Sequence, residues 1–302
     1  MDFKTIQELK KFSGINNVDD ARRLYPDVTD NRDYAFPLTQ ANNVEIDNTY
    51  KIKSRDGYTS LLAGTDIHSL WADGDKCFYV DGQTLYQLLP DFTTITIRTD
   101  LTLKARVSYA LVNDRVYYTN NYQCGYVHNF VNYSYMNPER QFKQELPAGS
   151  IIEIFMSCLF VAVGNIMYIS DPLCDYYDIR SGYRIFPDEL TMIRALDDGM
   201  YVSDIKKTYF LSGRGNDDFN KTEVESEPAI KFSDVRTSAE SMGYGVKGDV
   251  VIWTSSTGIC VGDSGGSVKN MTFDRYQLTE HGRGAAFVKE VGNIKHYINS
   301  LY

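Results

Sequence analysis

Taken by its apolar positions, the chain opens on a short helical pattern and then turns to strands. Phe3, Ile6 and Leu9 fall three apart, with Lys4, Gln7, Glu8, Lys10 and Lys11 on the remaining faces, the spacing of one or two helical turns. A helix of that length is not stable alone. Its apolar side, continued by Phe12, reads either as packing on its own domain or as an arm that docks on a neighbour. From Gly14 to Leu38 the sequence is polar, carries Pro26 and Pro37 and keeps no period. Residues 1–40 are therefore expected to form an arm, a short helix plus an extended connector.

Beyond residue 40, helix-length patterns are nearly absent, and strand-length apolar runs alternate with Gly, Asn and Asp. The clearest unit, residues 67–100, parses into strands at 67–72, 76–80, 84–89 and 94–98. Its first two turns, Asp73-Gly74-Asp75 and Asp81-Gly82, use residues that tolerate the positive φ of hairpins. Similar units follow at 107–127, turning at Asn113-Asp114 and Asn120-Asn121; at 151–170, turning at Gly164-Asn165; and at 190–213. A fifth covers 241–263, with turns at Lys247-Gly248-Asp249 and Ser256-Thr257-Gly258.

The second strands centre on Tyr79, Tyr117, Phe160, Tyr201 and Ile252, at separations of 38, 43, 41 and 51 residues. That is the period of a four-stranded propeller blade. The longer last step is assigned to an inserted polar loop over residues 213–228. Residues 44–62 offer two more strands, and residues 284–291 and 294–302, joined at Gly292-Asn293, another two. Half a blade from each end would make a sixth and remove the open sheet edges. The expected fold is all-β: a β-propeller of six four-stranded blades over residues 41–302, or of five or seven if the longer loops divide differently, closed by pairing of the N- and C-terminal strands, behind the arm of residues 1–40.

Composition agrees with this and narrows the function. The 23 Tyr and 15 Phe against 8 Pro lean toward strands. A net charge of −9 argues against broad attraction to phosphate backbones, so any contact with DNA would be local or transient. The cysteines at 77, 124, 158, 174 and 260 are odd in number and scattered, which reads as reduced structural thiols. The first residues hold no apolar run of signal-peptide type and no stretch approaches a membrane span, so folding in a cytoplasm without membrane insertion is expected, and the sequons at Asn132, Asn220 and Asn270 read as coincidental.

Few motifs suggest chemistry. Gly262-Asp263-Ser264-Gly265-Gly266 spells the string around the nucleophile of chymotrypsin-like proteases, but the only upstream histidines, His68 and His128, lack that family's context. A turn after a strand explains the glycines. The histidines at 68, 128, 281 and 296 are too dispersed for a metal site, and the acidic runs 171–178 and 197–198 lack the spacing of a calcium loop. Gly213-Arg214-Gly215 precedes no helix, so no phosphate loop is indicated. Catalytic, metal and cofactor residues are accordingly expected to be absent.

Several runs together resemble a known group. FSGINNVDD followed by LTQANNVEIDNTYKIKSRDGYTSLL, then MYISDPLCDYYDIRSGYRIFP leading into LTMIRALDDGMYVSDIKKTYFLSG, and finally GICVGDSGGSVKNMT, are similar to phrases of β-propeller virion proteins of tailed bacteriophages. The likeness runs from Phe12 to about Tyr297. It implies a structural component of the tail, a nozzle or hub or a head-to-tail connector of the packaged-DNA-stabilising type. Several copies, six in such rings, would surround the channel through which DNA is ejected, with other tail or portal proteins as partners and the virion tail as location. Two other classes stay open at this point: a propeller that binds a host glycan or surface protein, and a propeller hydrolase with acids gathered at its axis.

Overall fold

Strand alternation decides how the units stack. Along Gly199–Asp204, Met200 and Val202 join one buried layer with Phe160, Met167 and Leu190, while Tyr201 between them joins another with Trp253 and Phe210. Successive strand side chains point to opposite faces, so a sheet apolar on both faces must lie between two neighbours. The computed structural model describes residues 11–20, 24–28, 34–46, 49–55, 57, 59–215, 218–225, 227–241, 248–278, 282–291 and 294–302.

Five four-stranded antiparallel sheets follow one another: blade 1 (residues 67–98), blade 2 (108–133), blade 3 (151–185), blade 4 (190–225) and blade 5 (235–270). The first strand of each packs against the first strand of the next, which sets these strands around the axis. Apolar layers fill the gaps in order. Phe78, Leu85, Val107 and Tyr118 lie between blades 1 and 2, and Tyr117, Leu146, Ile152 and Val161 between 2 and 3. Ile252 and Val250 of blade 5 meet Tyr297 of a C-terminal hairpin, Gly284–Val291 with Ile294–Leu301. The fold is a β-propeller.

All five positions at the centre of the repeat, Tyr79, Tyr117, Phe160, Tyr201 and Ile252, lie on second strands and are buried. The turns behave as their residues require, with Gly74, Gly82, Gly164, Asn113 and Asn121 all at positive φ.

The structure corrects four details. Residues 213–228 are not an inserted loop: Asn220–Glu225 is the fourth strand of blade 4, paired with Thr208–Ser212. It is the outermost strand and mostly exposed, so its polar sequence imitated a loop. The first strand of blade 5 is Val235–Ser238, upstream of residue 241, and the long step in the repeat belongs to residues 239–248 between its first two strands. The connector contains strands of its own. Phe12–Ile15 runs parallel to Tyr34–Leu38, and Asp27–Val28 antiparallel to it. This sheet is held to the segment after blade 5 by the bidentate Arg275–Asp27 pair and by Asn17, whose side chain bonds the backbone of Gln277 twice. Finally, the terminal strands make two hairpins, Val44–Ile46 with Ile52–Ser54 and Gly284–Val291 with Ile294–Leu301, and no ladder joins them among the described residues.

Candidate functional site

Two regions of a propeller can do work: the axis, where first strands converge, and the two rims of connections. At the axis three blades share an ionic cluster. Glu153 comes from Ile151–Phe155, Arg194 from Leu190–Leu196, and Asp234 immediately precedes Val235–Ser238. Arg194 Nη1 lies 3.0 Å from Glu153 Oε2, while its Nε and Nη2 reach Asp234 Oδ2 at 2.7 and 2.6 Å. The carboxylate side chains are only 12% and 7% exposed. Burial pushes the Glu153 carboxyl above its usual range and the Arg194 charge pulls it back. Glu153 Oε1 accepts from Ile154 N at 2.9 Å, while the buried Oε2 has no hydrogen bond and faces Arg194 as an ion pair.

Nearby, a second contact draws distant blades together. Arg106, just before the first strand of blade 2, donates through Nη1 to the carbonyl of Gly284 at the start of the C-terminal hairpin. Its guanidinium also lies 4.3 Å from the ring centre of Phe232, which precedes blade 5. Lys231 beside it pairs with Glu189 at 2.9 Å. These charges tie blades to one another.

The rim formed by first-to-second and third-to-fourth strand turns is of another kind. Every third-to-fourth connection contains a residue in the left-handed region: Phe92 (φ 63°), Phe130 (64°), Leu173 (59°), Gly213 (131°) and Gly266 (86°) in blades 1 to 5. Blades 4 and 5 use glycine, which meets that geometry without strain. Blades 1 to 3 use bulky apolar residues, for which it costs roughly 1–2 kcal/mol each. Met156, in the first turn of blade 3, repeats the choice at φ 47°. These side chains are not folded back onto the core: Phe92 is 53% exposed, Phe130 50%, Met156 46% and Leu173 65%. Three adjacent blades thus hold a row of strained, solvent-facing apolar tips on one face.

A cleft of about 330 Å³ opens between blades 2 and 3 on this face, lined by Asn113, Asp114, Arg115, Tyr117, His128 and Leu173. Arg115 lies 5.1 Å from the ring centre of Tyr126, within a run of tyrosines in which Tyr117 and Tyr126 are 5.3 Å apart and Tyr126 and Tyr133 5.1 Å.

Of the residues singled out in the sequence, Phe3, Ile6 and Leu9 lie outside the described residues, and Phe12 is half-buried in its strand beside Phe36. Asp263 caps its own turn, Oδ1 accepting from Gly265 N and Ser267 N at 2.9 Å each, directly after the strand Gly258–Gly262. His68 is hydrogen-bonded to Ser69, His128 lines the cleft, His296 is exposed, and His281 is outside the described residues. In the acidic runs, Asp171 and Asp178 are paired with Lys143, and Asp197 with Arg236. Among the described residues no three His, Cys, Asp or Glu side chains are grouped to hold a metal. In the sequence a Phe or Leu in such a turn reads as a strand end; only the backbone angle sets these apolar tips apart.

No family model matches the chain, and neither does any curated protein sequence. Solved structures do share its fold. Virginiamycin B lyase from Staphylococcus aureus superposes with a TM-score of 0.50 at 11% identity, covering 78% of this chain and 84% of that one. The gluconolactonase XC5397 from Xanthomonas campestris gives 0.46 at 12%, covering 75% and 82%. The WD40 propeller domain of Doa1 gives 0.41 at 10%, covering 66% of each chain. At 11% identity the likeness to the lyase speaks for the propeller fold alone.

Proposed function

We propose that this chain is a non-catalytic docking propeller, a structural component of a tailed-phage virion that forms part of a tail nozzle, hub or head-to-tail connector. The observation that carries the docking role is the row Phe92, Phe130, Met156 and Leu173, apolar, exposed and held in costly backbone geometry on one face. Strain of this kind persists where a surface is shaped for a partner. The virion assignment rests on the sequence phrases that resemble phage propellers. The axial acids favour the same reading over a hydrolase, since Arg194 occupies Glu153 and Asp234.

The cleft beside Arg115 and His128 favours a second reading, a module that binds a host glycan or surface protein. One experiment separates them: light scattering and electron microscopy of the protein alone, then mixed with phage tail and portal components. Docking onto those components, as a ring or within one, is the expected result. A monomer that ignores them but is retained on host envelope glycans would replace the first reading by the second.

A further inference from the structure

The cleft between blades 2 and 3 is lined by groups that call for different partners. Arg115 can only donate hydrogen bonds and Asp114 beside it can only accept them, while the Asn113 amide, the Tyr117 hydroxyl and a neutral His128 ring do both. Tyr117 is buried, which pushes its phenol up, so the hydroxyl keeps its proton. Leu173, held at φ 59° and exposed, supplies an apolar wall. The volume of about 330 Å³ lies at the small end of the range for ligand sites, roughly 300–1,000 Å³, and suits a small molecule or one unit of a longer chain.

Arg115 is set for an anion. Its guanidinium lies 5.1 Å from the ring centre of Tyr126, and among the described residues no carboxylate, Asp114 included, forms an ion pair with it. Asp175, whose charge does reach it, is buried and accepts from Met136 N at 3.0 Å. An oriented, unpaired guanidinium matches the two oxygens of a carboxylate. A bare carboxylate there would face Asp114 with like charge. A ligand that sets a hydroxyl beside its carboxylate satisfies both residues, because the hydroxyl donates to Asp114. Sugar acids carry their groups in that order, and the C–H edges of their rings suit Leu173 and Val112. We propose that this cleft binds a hexuronate, a unit of an acidic polysaccharide, with the carboxylate on Arg115 and a ring hydroxyl on Asp114. This rests on the glycan reading of the cleft given above and names its ligand. A net charge of −9 gives the chain no general attraction for polyanions, so the affinity has to come from this local fit.

The test titrates the full-length protein calorimetrically with glucuronate and galacturonate, free and as short oligomers. Glucose and galactose, which lack the carboxylate, and acetate, which lacks the hydroxyls, serve as comparisons. At least one uronate should bind about tenfold tighter than its neutral counterpart and than acetate. Arg115→Met keeps an apolar stem over Tyr126 and should weaken uronate binding about tenfold while leaving the thermal midpoint unchanged, since Arg115 is exposed and unpaired. Asp114→Ala separates a sugar from a bare anion. It removes a negative charge, so an ion held by charge alone would bind tighter, whereas a hexuronate held through its hydroxyl should bind weaker. An absence of uronate binding, equal binding of neutral sugars or of acetate, or a gain of uronate affinity in Asp114→Ala would each overturn the proposal. If the protein is retained on host envelope glycans with no preference for uronates, the glycan reading stands and this ligand falls; if it neither binds uronates nor is retained, both fall. Docking on tail components is measured separately, and neither result bears on it.

Discussion

Removing the cation from the axial cluster should be felt across three blades. In Arg194→Met, Glu153 and Asp234 keep their buried places but lose the guanidinium that bridges them, at 3.0 and 2.6 Å. Breaking a buried pair by deleting one partner costs about 3–5 kcal/mol. Because the Arg194 side chain is 30% exposed, water can partly replace it, which sets the expectation near the lower end, about 3 kcal/mol. For a chain of this size that lowers the thermal midpoint by roughly 5–10 °C. The pH dependence follows from linkage. A carboxyl whose folded pKa is raised, as burial already raises Glu153, contributes stability that is present below the usual carboxylate range and lost as pH rises through its folded value. Without Arg194 the Glu153 carboxyl is raised further, so the deficit of the variant should be larger at about pH 8 than at about pH 5. Thermal melts by circular dichroism, run across that range for parent and variant, measure both quantities. Adding Glu153→Gln and Asp234→Asn should recover most of the loss. A deficit below about 1 kcal/mol, or one that does not change with pH, would refute the reasoning.

Three further outcomes can be checked at the bench. Gly266→Ala would place a methyl 2.6 Å from Phe210 Cδ1 at φ +86°, and should cost about 2–4 kcal/mol in urea unfolding, whereas Ser264→Ala should stay within about 0.5 kcal/mol; the opposite order would mean that the Gly262–Gly266 string is more than a turn. Burial pushes the thiols of Cys124 and Cys260 up to about 11, so both should resist a disulfide reagent at about pH 8 in the native protein and react once it is unfolded; equal rates in the two states would contradict that. Arg106→Ala should loosen the C-terminal hairpin from blades 2 and 5, seen as faster hydrogen exchange across residues 284–301 with little change in blades 3 and 4, and unchanged exchange there would show that Arg106 holds nothing.

What the sequence determined by itself was the repeat. Period-2 alternation broken by Gly, Asn and Asp is a local property, so the second strands at Tyr79, Tyr117, Phe160, Tyr201 and Ile252 and the turns at Gly74, Gly82 and Gly164 could be placed from residue order alone. Where packing and not pattern fixes an element, the local signal fails. Asn220–Glu225 is a strand because Thr208–Ser212 lies beside it, and its exposed polar residues carry no mark of that. The sheet over residues 12–38 exists through partners at Tyr50, Arg275 and Gln277, hundreds of residues away in two cases. The candidate site shows the same division. Asn129-Phe130 is visible as a turn, but that Phe92, Phe130 and Leu173 stand at one recurring position on one face emerges only once the blades are stacked. Glu153, Arg194 and Asp234 are some 40 residues apart in turn, one blade each, and they meet because tertiary structure sets first strands side by side around an axis.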